Sequence, residues 1–330
     1  MKVLVTGANG HIGANVVRAL LEQAHQVRAF VRKSADLRGL EGLEVEYAYG
    51  DVMDADSLAA AAQGCEAIIH LAAVYKTWAK TAEEIVEPAM LGTRNIFAAA
   101  AKAGIGRIVY TSSVASIGFG TQPDDIRDGS RWNDDPQNPY YIAKTRSEQE
   151  AQRLAKEYGI YLVVICPSMV LGPYDYRITP SNRLVQDWVN GVGQTYTGGV
   201  NLVDVRDVAA AHVAALTRGE NGKRYVAGGD NVQVKDLGQM IKQLTGKRPL
   251  HIPLSRRVML GSASVVEKLC RLLGLQPPFT RDLLYEVVER YGYYNTQATE
   301  TELGIKSRDA EACLRGAIQW LEEQGKIKRT

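Results

Sequence analysis

A strand-like run, Val3-Leu4-Val5-Thr6, stops at Gly7, and two more glycines stand at the same interval, Gly10 and Gly13, as a helical pattern begins. No other stretch constrains the fold as strongly. A strand that turns tightly into a helix leaves the first N–H groups of that helix without partners. Gly7 permits the turn, Gly10 lets the backbone come close to a ligand, and Gly13 lets the helix pack on the strand, so the free N–H groups face an anion such as a pyrophosphate. Asn9, His11 and Ile12 complete the loop. The pattern predicts a dinucleotide site, but glycine also punctuates ordinary loops, so the reading needs support from the rest of the chain.

Short apolar runs then alternate with helical patterns. Strands are expected at Gln26–Arg32, Leu43–Tyr49, Ala67–Leu71, Arg107–Thr111 and Tyr161–Cys166, and helices at about 11–24, 55–64, 81–103 and 138–158. Val/Ile-rich strands joined by helical crossovers make a parallel sheet covered on both faces, with ligands outside the carboxyl ends of its strands. The expected fold class is α/β: a doubly wound parallel Rossmann sheet with a smaller, mainly helical C-terminal substrate lobe interleaved with it. Residues 1–173 are expected to form the nucleotide-binding domain, rejoined by 200–230 through a strand at Leu202–Val208 and a helix to about Thr217. Residues 174–199 and 231–330 are expected to form the lobe, with helical patterns at about 234–246, 254–274, 279–290 and 308–324.

A net charge of +2 with no run of five like charges argues against nucleic acid or an anionic membrane as partner, and for a small molecule. Cys65, Cys166, Cys270 and Cys313 lie far apart with no C-x-x-C pair, which argues against zinc and against a disulfide framework. No metal is expected. The chain opens on a strand and has no run of 18 apolar residues, so a cytoplasmic monomer or homodimer is expected.

The residue after the second strand sets the ribose preference: an acid hydrogen-bonds a 2′-hydroxyl, whereas a base pairs with a 2′-phosphate. Arg32-Lys33 stands there, and Arg38 adds a second guanidinium, whose planar fork suits phosphate. NADP(H) is favoured. NAD(H) stays open, because Asp36 lies in the same loop and a bend would bring its carboxylate to the ribose.

Thr111-Ser112-Ser113 ends the fifth strand, and Tyr140 and Lys144 lie one helical turn apart on one face of a long helix. Alone, such a pair is ordinary helix decoration. A phenol with a pKa near about 10 is a poor acid–base group at neutral pH, and an adjacent ammonium favours its phenolate. The serine can hold a substrate oxygen, and the lysine can reach the nicotinamide ribose. Downstream of the glycine turn and the hydroxyl-rich strand end, the pair reads as a site.

These residues, over nearly the whole chain, resemble the extended short-chain dehydrogenase/reductases, in particular the branch of dihydroflavonol and cinnamoyl-CoA reductases. Further local matches are Val27–Arg32, Glu87–Thr93, Cys166–Pro173 and Tyr225–Gly228. The resemblance implies a triad of Ser113, Tyr140 and Lys144, with Ser113 preferred to Ser112 as the last hydroxyl before Val114-Ala115. It also implies cofactor contacts from Asp51 and Val52, from Leu71, Ala72 and Ala73, from Thr111, from Pro167, Ser168, Met169 and Val170 beside the nicotinamide, and from Ser181. Ala89 departs from the sugar-nucleotide members, many of which carry Asn there, and so leaves the proton-relay groups open.

Tyr75, Trp78, Tyr174 and Tyr176 fall in loops where aromatic rings can wall an apolar substrate pocket, although core packing competes for each. The acidic loop from Phe119 to Pro139 disfavours a second bound phosphate and has the length of a mobile flap. His70 and His212, in apolar runs, read as structural. The expected activity is NADPH-dependent reduction of an aldehyde or ketone, reversible as an alcohol dehydrogenase. A sugar-nucleotide epimerase or dehydratase with retained cofactor would use the same triad, and a nicotinamide-sensing regulator without turnover is a third reading.

Overall fold

Thr6 closes the interior strand β1 (Lys2–Thr6), and Gly7, at a φ of +66°, turns the chain into α1 (His11–Glu22). The structure, a computed structural model, describes every residue except 73–80, 248, 252–253, 274, 276, 278 and 328–330. After α1 come β2 (Gln26–Val31), β3 (Glu46–Tyr49), α2 (Ala55–Ala62), β4 (Ala67–His70), α3 (Glu83–Lys102), β5 (Arg107–Thr111), α4 (Pro139–Tyr158) and β6 (Tyr161–Pro167). The remainder comprises β7 (Met169–Leu171), α5 (Pro180–Val189), β8 (Gln194–Thr195), β9 (Gly199–Asp204), α6 (Val205–Ala214), β10 (Arg224–Ala227) and β11 (Asn231–Gln233). It ends with α7 (Val234–Thr245), β12 (Leu250–His251), α8 (Arg256–Leu272), α9 (Arg281–Val287), α10 (Gln297–Leu303) and α11 (Ala310–Glu323).

The main sheet runs β10-β6-β5-β4-β1-β2-β3, and its neighbouring strands are parallel. The strand order reverses between β1 and β4, which opens a crevice at their carboxyl ends. Alternate side chains fill the two faces. Val3, Val5, Val109, Val163 and Ile165 join Val16, Leu20, Val208 and Ala211 of α1 and α6, while Leu4, Ile68, Ile108 and Leu162 join Leu58, Phe97, Ala151 and Leu154 of α2, α3 and α4. Full burial of such a Val, Leu or Ile contributes about 1.5–3 kcal/mol, so these two layers dominate what holds the sheet. A third cluster, around Trp188, Leu237, Ile241, Leu314 and Leu321, joins α5, α7 and α11.

Local chemistry sets the helix that matters most. The Asn138 side chain accepts from the Tyr140 N–H at 3.0 Å, Pro139 occupies the first turn, and Gly159, left-handed at a φ of +66°, ends α4.

Residues 202–208 depart from expectation. β9 ends at Asp204, whose carboxylate caps α6 by accepting from the Arg206 N–H at 2.9 Å. β9 pairs with β7 and β11 in a separate three-stranded sheet, while α6 lies on α1 and β10 joins the edge of the main sheet. The loop expected as a flap is tied down: Gly120 bridges Tyr291, Arg127 bridges Tyr294, and Asn133 donates from its backbone to the Ser116 carbonyl. α10 and the short strands β7, β8, β11 and β12 lie where the residue patterns predict no element.

Candidate active site

The glycine turn leaves no room for side chains. A Cβ on Gly7 would lie 2.8 Å from the Ala72 nitrogen, and one on Gly13 only 2.2 Å from the Gly7 carbonyl oxygen. Gly10 caps α1 without a side-chain acceptor, and the N–H groups of His11, Ile12 and Gly13 have no hydrogen-bond partner among the described residues. This cradle, open at a helix N-terminus, fits a pyrophosphate. The His11 ring is buried, with Nδ1 3.8 Å from the buried Asp175 carboxylate; burial lowers its pKa, and Asp175 pulls the other way.

Thr6 joins the two strands that flank the crevice. Its hydroxyl accepts from the Leu71 and Ala72 N–H groups, both at 3.2 Å, and contacts His70 Nδ1 at 2.9 Å. With both acceptor positions used, the hydroxyl donates to the ring. Burial holds His70 neutral, with its pKa pushed down to about 3. A second pair repeats the arrangement: Thr111 meets His212 Nε2 at 2.7 Å, and His212 Nδ1 donates to the Val208 carbonyl at 2.8 Å. Both histidines serve the framework.

On the ribose side, the Asn9 amide donates to the Asp36 carbonyl at 3.1 Å, which folds the 36–38 loop over the glycine turn. Arg38 does not stand free. Its guanidinium grips Asp36 (2.6 Å for the shortest contact), holds that carboxyl down at about 2, and lies 5.0 Å from the Tyr176 ring centroid. Arg32 and Lys33, just past β2, are both exposed and make no side-chain hydrogen bond or ion pair among the described residues. Asp51 accepts from the Met53 N–H at 3.0 Å, and the Val52 carbonyl accepts from Asn95 at 2.9 Å. Ala73, Tyr75 and Trp78 lie outside the described residues.

Lys144 projects from α4 to the end of β5, where its ammonium donates to the Thr111 carbonyl at 3.1 Å. Burial pushes its pKa down to about 8, against the opposing pull of Glu148 and Cys166. Tyr140, one turn earlier, is half-buried and meets Tyr141 edge-on. The two serines differ. Ser112 is buried, donates to the Glu148 carboxylate and contacts Ser116 Oγ at 3.1 Å. Ser113 is half-buried, and its oxygen accepts from the Ala115 N–H at 3.1 Å as cap of a short 3-10 turn, leaving its O–H undirected by the described residues.

Glu148 anchors a network that the residue patterns do not reveal. It is fully buried, ion-pairs with Arg224 and accepts from Ser116 at 2.6 Å, while Arg224 also donates to the Gly129 and Arg131 carbonyls and lies over Trp132. The spacing from Lys144 to Glu148, one turn along α4, is a readable signal; Arg224, 76 residues away from Glu148, has none.

Pro167 ends β6 beside Ala227, and the Ser168 N–H donates to the Ala227 carbonyl at 3.1 Å. The Ser168 hydroxyl is a buried polar atom without a partner among the described residues. Met169 and Val170 belong to β7, and Ser181 lies half-buried in the first turn of α5. The rings of Tyr174 and Tyr176 both pack on Trp320 of α11, and Tyr174 lies under Arg18 of α1.

A nucleotide cradle at the switch point of a doubly wound sheet, with a hydroxyl-rich strand end and a buried lysine beside it, defines an NAD(P)-dependent oxidoreductase acting on CH–OH or C=O groups. The chain belongs to the NAD-dependent epimerase/dehydratase family, whose profile matches residues 3–228. It is 36% identical to a putative dihydroflavonol 4-reductase of Synechocystis sp., over 98% of this chain and 95% of that protein. It is 30% identical to sterol demethylase protein B of Methylococcus capsulatus, over 99% of this chain and 100% of that one. The crystal structure of gox2253 superposes with a TM-score of 0.86 at 34% identity, covering 99% of each chain. Among the described residues no His, Cys, Asp and Glu cluster could hold a metal, and no helix is long and apolar enough to cross a membrane.

Proposed function

We propose that the protein reduces an aldehyde or ketone with NADPH, reversibly as an alcohol dehydrogenase, using Ser113, Tyr140 and Lys144. The carrying observation is the contrast at the end of β5: Ser112 is absorbed by Glu148, while Ser113 keeps a donor available beside the strand end that receives Lys144. The bound dinucleotide supplies the hydride. Tyr140 gives its phenolic proton to the carbonyl oxygen as negative charge develops there, and Ser113 donates a hydrogen bond to the same atom. The Lys144 ammonium favours the phenolate that remains. One of its three N–H groups is held by Thr111, which leaves two for ribose hydroxyls.

Arg32 is the proposed partner of a 2′-phosphate, being uncommitted at the end of β2; Asp36, already gripped by Arg38, is a poor ribose acceptor. On this reading residues 1–173, with α6 and β10, hold the cofactor, and 174–199 with 231–330 enclose the substrate. The dihydroflavonol 4-reductase relative supports reduction, as does Ala89 in α3 where many sugar-nucleotide enzymes carry Asn. A panel of aldehydes and ketones followed at the NADPH absorbance tests the reading: oxidation with at least one carbonyl class supports it, and sugar-nucleotide conversion at constant absorbance overturns it.

A further inference from the structure

The exposed face of α8 is apolar. Val258, Val265, Leu269 and Leu272 recur at intervals of seven, four and three residues, so they share one face, while Met259 and Ala263 are buried on the opposite one. Leu269 is 53% exposed, Leu272 83%, and the chain continues with Leu273 at 70% and Leu275 at 58%. Exposed apolar side chains clustered as they are from Val265 to Leu275 are uncommon on a free surface and mark a docking face. Arg257 and Lys268, both exposed and aligned three turns apart, border the stripe. Residues 254–281 contain five basic residues and one acidic one, Glu267. That local excess is hidden in a chain whose net charge is only +2.

We propose that α8, with the exposed Leu273, Leu275 and Phe279, docks the protein on an anionic phospholipid surface, with the stripe in the acyl boundary and the basic border at the headgroups. The shape suits a helix lying in the interface: long lysine and arginine stems cover apolar surface while their charges reach the phosphates. A second copy is the weaker occupant, because it would bring its own Arg257 and Lys268 against the same exposed pair. Docking would hold a defined orientation, since α8 lies on α9, and Glu286 of α9 accepts from the N–H groups of Gln137 and Asn138 at 2.7 and 3.2 Å, directly before Tyr140. The proposal stands independently of the reaction assigned above.

Sedimentation of the full chain with vesicles of phosphatidylcholine, with and without phosphatidylglycerol, tests it. Binding to the anionic vesicles that weakens with added salt is expected, with little binding to phosphatidylcholine alone. The double variant Leu269→Ser/Leu272→Ser should weaken partitioning about a hundredfold, at about tenfold per leucine, and Arg257→Glu/Lys268→Glu should abolish the preference for anionic lipid. Both pairs are exposed, so circular dichroism and NADPH binding should match the parent. Equal binding to both vesicle types, no binding to either, or unchanged partitioning of the serine variant overturns the proposal. So does a parent dimer that the serine variant converts to monomer, because the occupant is then a second copy.

Discussion

The Lys144 ammonium donates to the carbonyl oxygen of Thr111 at 3.1 Å, so α4 delivers its cation to the end of β5 instead of to solvent. Burial there lowers its pKa to about 8. Between about 8 and the ordinary lysine range the unfolded chain holds a proton that the folded chain has released, so this group makes stability rise with pH across that window. Below it both states are protonated and the full cost of burying the charge applies. NMR titration of the Lys144 side chain in the cofactor-free protein should give a midpoint near 8; a midpoint in the ordinary range would contradict the burial argument. Lys144→Ala should weaken both NADPH binding and turnover, and unchanged values for both would make Lys144 a bystander.

Tyr140→Phe should lose turnover by a factor on the order of 10²–10⁴, the usual contribution of a general acid, while NADPH affinity changes little. Fluorescence titration of the cofactor beside steady-state kinetics separates the two. Near-normal turnover in a folded variant would remove Tyr140 from the chemistry.

The neighbouring serines should part company. Ser113→Ala should cut turnover by a factor on the order of 10²–10³, as loss of a donor to a developing oxyanion does, with the denaturation midpoint nearly unchanged. Ser112→Ala deprives the buried Glu148 carboxylate of a donor and should cost about 1–3 kcal/mol of stability. If Ser112→Ala abolished turnover in a stable protein while Ser113→Ala did not, the roles would be exchanged.

Arg32→Asp should weaken NADPH binding by about 1.5–3 kcal/mol, the worth of a charge-assisted pair, plus repulsion, and should affect NADH much less. Competitive binding of both cofactors reads this directly. A parent enzyme that prefers NADH, or a variant that keeps the NADPH preference, would shift the ribose contact away from Arg32.

What the residues reveal by themselves is local. The Gly7 turn, the Asn138-Pro139 start and Gly159 end of α4, and the one-turn spacing of Tyr140 and Lys144 each come from backbone sterics or helical period within a few residues. What they do not reveal depends on distant partners. Glu148 finds Arg224 on β10, Thr6 finds His70 on the neighbouring strand, and the Asn9 amide finds the Asp36 carbonyl in a loop 27 residues on. The small sheet of β7, β9 and β11 is hard to read because its short strands carry little periodicity. Tyr174 and Tyr176 have the loop positions of pocket walls, yet Trp320, more than a hundred residues on, packs against both rings.

The central claim is net carbonyl reduction by the Ser113, Tyr140 and Lys144 site, and cofactor stoichiometry tests it most directly. Purified protein should oxidise one NADPH for each carbonyl reduced, and Tyr140→Phe should abolish that turnover in parallel assays. Conversion of a sugar nucleotide with no net change in cofactor would contradict the account.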